Sequence, residues 1–131
     1  MIKVIGAKSL IKKLANTAIV DRELLSATEK SGLAVLKRAQ TYPRQRPGST
    51  YRRTGTLGRK WSVAVSRRGG IYTARLRNPT SYAPDVQGVL GQKPVHKGRW
   101  PTDRAMLKEQ SRKIVGFYGT ARRNIMEAFN G

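Results

Sequence analysis

Any acid–base or metal chemistry in this chain would have to come from seven carboxylates and one histidine, with no cysteine, among 27 lysines and arginines. Such chemistry needs titratable groups that converge. Asp21 and Glu23 lie two residues apart, which places them on different faces of a helix. His96 stands alone, without an acidic neighbour or a second ligand at metal-binding spacing. The expectation is therefore a protein that is not an enzyme and holds no metal or other cofactor. What the residue types do favour is the binding of anions. Basic and aromatic residues interleave at Tyr51-Arg52-Arg53, Arg59-Lys60-Trp61 and Arg99-Trp100, the combination that phosphate contact with base stacking uses. The simpler alternative is that Trp61 is a core residue of a strand and the arginines are solvated.

The distribution of charge narrows this further. The net charge is +20, but residues 43–101 hold 13 basic residues and one acidic residue, while residues 1–42 hold 8 and 3 and residues 102–131 hold 6 and 3. From Pro43 to Pro84 there is no carboxylate at all. A surface this cationic repels itself and favours an acidic partner, either nucleic acid or an acidic protein face. The contact candidates are Arg44, Arg46, Arg52, Arg53, Arg59, Arg67 and Arg68. Without cysteine there is no disulfide scaffold, no Cys-based zinc site and no Cys nucleophile. No apolar run approaches the roughly 20 residues of a membrane span, so no membrane partner is expected. Met1–Gly6 lacks the basic start and apolar core of a signal peptide, so no secretory leader is expected.

The elements that would position these residues read as one domain over 1–131, with 1–18 as an N-terminal arm or short helix. Helical spacing of Leu10, Ile11 and Leu14 predicts a short helix over 7–16. A long helix follows from about Val20 to Gln40, with Asp21 and Glu23 in its first turn and Lys37 and Arg38 in its last. Its apolar face is Leu25, Gly32, Leu36 and Ala39, with Leu33 beside it. Residues 43–56 and 90–101 read as long loops. Alternation of Trp61, Val63 and Val65, then of Tyr72, Ala74 and Leu76, around Gly69-Gly70 predicts an antiparallel hairpin. Tyr82–Val89 is expected to add a strand, with Tyr82-Ala83-Pro84 on a sheet edge. A last helix runs from about Asp103 to Phe129, capped by Thr102 or Asp103. Its buried face is read as Leu107, Gln110, Ile114, Phe117, Ala121, Ile125 and Ala128. Gly116 and Gly119 are points where it could kink. The class is α+β: a long N-terminal helix, a central antiparallel sheet built on a hairpin, and a long C-terminal helix.

Two blocks carry a family resemblance. The first is Tyr42-Pro43 followed by Pro47-Gly48-Ser49-Thr50-Tyr51-Arg52-Arg53-Thr54-Gly55-Thr56-Leu57-Gly58-Arg59-Lys60-Trp61. The second is Asn78, Tyr82-Ala83-Pro84-Asp85-Val86-Gln87-Gly88, then Gln92, His96 and Gly98-Arg99-Trp100-Pro101. In order and spacing they resemble the small tail-component proteins of lambda-like long-tailed phages, which complete the tail and join it to the head. The resemblance covers roughly residues 20–130. It departs from the family pattern in an arginine-rich insert before Thr54-Gly55 and in Gln87, where many relatives carry Glu. It marks Thr54, Gly55, Leu57, Trp61, Tyr82, Ala83, Val86, Gly88 and Trp100 as structural motif residues. Gly55 is expected at positive φ, and Leu57 and Trp61 are expected to dock the hairpin against the long helix.

The resemblance implies a virion protein of the neck or tail, present in the host cytoplasm during assembly. It implies a homo-oligomeric ring of six or twelve copies, set between the head connector or portal adaptor and the tail-tube or tail-terminator proteins. The loops 43–56 and 90–101 would reach neighbouring subunits through head-to-tail contacts. The arginines would meet acidic faces of those proteins or genomic DNA in the channel. The rival expectation is a basic nucleic-acid-binding module of ribosomal or chromatin type. It predicts steep salt dependence on free DNA or RNA.

Overall fold

A computed structural model of the chain describes residues 7–45, 47–48 and 55–130, with side chains described from Thr17 onward. The elements are α1 (Ala7–Ala39), α2 (Thr56–Arg59), β1 (Ser62–Arg68), β2 (Ile71–Arg77), α3 (Ala83–Gln87) and α4 (Asp103–Asn130), with one 3-10 turn at Pro94–His96. This is the expected α+β arrangement, differing in three places. The two N-terminal helices are one, because no Gly or Pro interrupts the chain from Ala7 to Lys30. Asp21 and Glu23 consequently lie inside α1 and not in its first turn. The strand expected over Tyr82–Val89 is instead the single turn α3. Pro84 sits in the first turn of α3, where its missing N–H would have had no intrahelical partner in any case. Ala83, Val86 and Gln87 then fall on one buried face at helical spacing. The loop expected over 43–56 gives way to α2 at Thr56.

α1 and α4 pack antiparallel, as three cross-links along their length show. Arg38 Nε donates to Glu109 Oε2 at 2.5 Å, and Asn124 Nδ2 donates to Glu23 Oε2 at 3.0 Å. Between them Thr28 Oγ1 donates to Leu24 O at 2.7 Å, so its contact with Tyr118 Oη at 2.6 Å uses the tyrosine proton. The buried stripe of α1 is Ala27, Thr28, Ser31, Gly32, Val35 and Ala39. Leu33, expected beside this face, is 48% exposed. α4 is one continuous helix through Gly116 and Gly119, capped by Thr102, whose Oγ1 accepts from Ala105 N at 3.1 Å. Its expected face is correct except at its first member. Met106 is the buried anchor and Leu107 is 56% exposed.

β1 and β2 form an antiparallel ribbon with Val63 opposite Leu76, Val65 opposite Ala74 and Arg67 opposite Tyr72. Among the described residues this ribbon is the whole sheet. Two strands alone are marginal in water, so the ribbon depends on α1. Gly32 makes that contact possible: a Cβ there would stand 2.9 Å from both Ala74 Cβ and Val63 Cγ2. Trp61, Leu76 and Ile114 pack around Val35, Ala39 and Met106, which joins ribbon and both helices in one core.

Candidate functional site: a motif cluster and a basic ribbon

The two resemblance blocks close on each other. Leu57, Ala83 and Val86 form a second buried cluster, with Tyr42 and Trp100 packed on it. Leu57 thus belongs to α2 and this cluster, whereas the expectation had it docking the hairpin on α1; only Trp61 does that. The rings of Tyr42 and Trp100 meet edge to face, centroids 5.1 Å apart. Tyr42 Oη accepts from Gly58 N at 2.8 Å, and Asn78 Nδ2 donates to Leu57 O at 2.8 Å. Gly55 opens α2 with φ 77°, as expected. Tyr82, at the start of α3, is 42% exposed.

Polar side chains finish the cluster. Gln87, 2% exposed, accepts from Trp61 Nε1 at 3.1 Å, and its amide nitrogen lies 3.9 Å from Met106 Sδ. It bridges the two cores. Gln92 Nε2 donates to Val86 O at 2.8 Å and to Trp100 O at 2.9 Å, tying the 90–101 loop to α3. Gly88 leaves no room for a side chain: a Cβ would stand 2.7 Å from Pro84 O. Gln92 was visible as part of the second block, but its pattern alone assigned it no role.

The described basic candidates, Arg44, Arg59, Arg67 and Arg68, do not form one patch. Arg46, Arg52, Arg53 and Thr54 lie outside the described residues. Arg44 is exposed, and its carbonyl accepts from Arg99 Nη2 at 3.1 Å. Arg59, at the end of α2, is exposed, with Nη2 3.5 Å from Thr56 Oγ1. Arg67 and Arg68 lie at the far end of β1 and point to opposite faces. Arg67, on the face toward α1, is ion-paired with Asp21, whose carboxylate also accepts from Tyr72 Oη at 2.8 Å. Asp21 is held below the usual carboxylate range, first by the Arg67 hydrogen bond and then by Tyr72. The same carboxylate raises the Tyr72 phenol and the Arg67 guanidinium.

Arg68 shares the outward face with Arg75 and Arg77, all exposed. Those two arginines were missed by sequence reasoning, although the alternation with Tyr72, Ala74 and Leu76 was enough to place them on the solvent side. Among the described residues no group of three or more His, Cys, Asp or Glu side chains could hold a metal ion, and no helix is long and apolar enough to cross a membrane. Comparison with known proteins found no matching family, no similar curated protein and no similar solved structure.

Proposed function

We propose that this chain is a structural, non-enzymatic virion protein of a tailed phage, forming a ring in the neck that completes the tail and joins it to the head connector. The observation that carries the reading is where the resemblance blocks lie: their described residues pack against one another into a structural cluster. Motif residues used in this way specify a shape and are compatible with an assembly role. The exposed apolar surface supports the same reading. Among the described residues, eleven large apolar side chains are exposed, whereas Val35, Leu57, Val86 and Met106 are the only apolar side chains larger than alanine that are buried. Leu90 is 97% exposed, Val115 71% and Val95 55%. Side chains exposed in this way are available for contact with other subunits. Loop 90–101 presents Leu90 and Val95 from a backbone that Gln92 holds in place, as a contact arm needs.

Electron microscopy of purified virions with this protein labelled tests the proposal. A ring of label between head and tail is the expected result, and absence of the protein from virions would reject it. Light scattering of the isolated protein should give a closed oligomer of six or twelve copies. The nucleic-acid module remains a second reading because the outward face of the ribbon is basic and uncovered.

A further inference from the structure

The outward face of the ribbon consists of Ser62, Ala64, Ser66 and Arg68 on β1 and Ile71, Thr73, Arg75 and Arg77 on β2, and all eight residues are exposed. Their pairing sets four rungs: Ser62 with Arg77, Ala64 with Arg75, Ser66 with Thr73, and Arg68 with Ile71. Same-face residues recur about every 6.8 Å along a strand, so the three guanidiniums span about 20 Å. None of the three has a hydrogen bond or ion pair with any described residue. No carboxylate occurs in either strand. The nearest cation along β1, Arg67, is already neutralised on the opposite face by Asp21.

We infer that this face binds the phosphate backbone of duplex DNA without reading its sequence. The surface holds guanidiniums and three hydroxyls, the side-chain set that contacts phosphate oxygens. Between the arginines stand only Ser62, Ala64, Ser66 and Thr73, small enough for a charged rod to lie against the strands. An acidic protein surface fits less well. Protein hot spots centre on Trp, Tyr and Arg packed into desolvated pockets, and this face pairs its arginines with neither Trp nor Tyr, only with small residues and with Ile71 at the turn. This inference names a ligand for one surface and does not depend on where the protein resides, so its failure leaves the neck reading standing.

Fluorescence anisotropy of a labelled 25-bp duplex of random sequence, titrated across salt, is the test. The full chain is compared with the triple variant Arg68→Gln, Arg75→Gln, Arg77→Gln. A second triple variant, Arg104→Gln, Arg112→Gln, Arg122→Gln, removes equal charge from exposed positions on α4. Each phosphate contact contributes about 0.9 to the log–log salt slope, so the ribbon variant should lower it by about 2.7 and the α4 variant by far less. Equal slopes for the two variants would show binding by undirected charge and overturn the assignment. The other overturning result is polyglutamate of matched charge binding as tightly as DNA and depending on the same three arginines. Both variants should keep the parent's far-ultraviolet circular dichroism, because the replaced side chains are exposed and none has a hydrogen bond or ion pair with a described residue.

Discussion

Around Leu57, polar side chains are committed to the fold: Gln87 to Trp61, Gln92 to Val86 and Trp100, Asn78 to Leu57, Tyr42 to Gly58. On the ribbon, a few residues away in the same chain, Arg67 alone among the arginines of the two strands has a hydrogen-bond or ion-pair partner among the described side chains. Both regions are poor in carboxylates, so charge composition does not separate them. What separates them is geometry. In the cluster, α2, α3 and the 90–101 loop surround each polar group with others. The ribbon has α1 on one face and solvent on the other. The cluster therefore spends its specificity on shape, whereas the ribbon leaves its charge for a partner. Substitutions should then damage folding in the first region and binding in the second.

The contrast is tested most severely at Gln87. Gln87→Ala removes a fully buried side chain and leaves the Trp61 indole N–H without its acceptor, with an expected loss of about 3 kcal/mol. Urea unfolding followed by tryptophan fluorescence measures it. A loss as small as that of a surface substitution would show that the bridge between the two cores is not a structural requirement. Gly88→Ala comes next. Its Cβ would meet the carbonyl oxygen and Cα of Pro84, which are backbone atoms with little freedom to move. The same carbonyl accepts the Gly88 N–H that closes α3. The expected loss is about 2 kcal/mol, read from the same unfolding curves.

Gly32→Ala probes how the ribbon is held. Alanine favours the helix by about 1 kcal/mol, but crowding a packed contact costs about 1–3 kcal/mol. Since the atoms that must yield are Ala74 Cβ and Val63 Cγ2, crowding is expected to win by about 1 kcal/mol. Hydrogen exchange should quicken at the amides of β1 and β2 while those of α4 stay protected. Uniform loss across the protein would mean that ribbon and helices unfold as one unit.

The ribbon and both long helices were legible because each has a strong period and a clear stop: Pro43 after α1, Gly69-Gly70 between the strands, Thr102 before α4. α3 was misread because Tyr82–Val89 is too short for its period to decide, and the same residues suit an edge strand or one helical turn. The buried stripe of α1 was only half visible. Thr28 and Ser31 are polar by type, yet each satisfies its hydroxyl on the carbonyl four residues earlier and so can be buried. The arginines were read by their density along the chain, which cannot tell the two faces of a strand apart. Arg67 was therefore grouped with Arg68, although one is paired inward and the other is open. Arg75 and Arg77 were passed over because they stand singly.

The contact at Asp21 gives the smallest effect and the finest test of the comparison, because it is the ribbon's one committed charge. Asp21 titrates below its ordinary value in the folded protein, through Arg67 first and Tyr72 second. Its contribution to stability is therefore complete above the unfolded carboxyl value of about 3.9 and is lost as pH falls through the lower folded value. Tyr72 titrates above its ordinary value because its hydroxyl donates a hydrogen bond to the Asp21 carboxylate. That contribution is complete below about 10 and is lost as pH rises through the folded value. The stability difference between the parent and Asp21→Asn should accordingly be flat from about pH 5 to 9 and shrink in more acidic solution. The difference for Tyr72→Phe should be flat over the same range and shrink above about pH 10. Urea unfolding across pH reads both, and added salt should reduce the acid-side effect because the ion pair is half exposed. A parent-minus-Asp21→Asn difference that persists unchanged at pH 2 would place the carboxylate outside the contact that holds the ribbon's tip to α1, and the ribbon would then have no committed charge to set against the cluster.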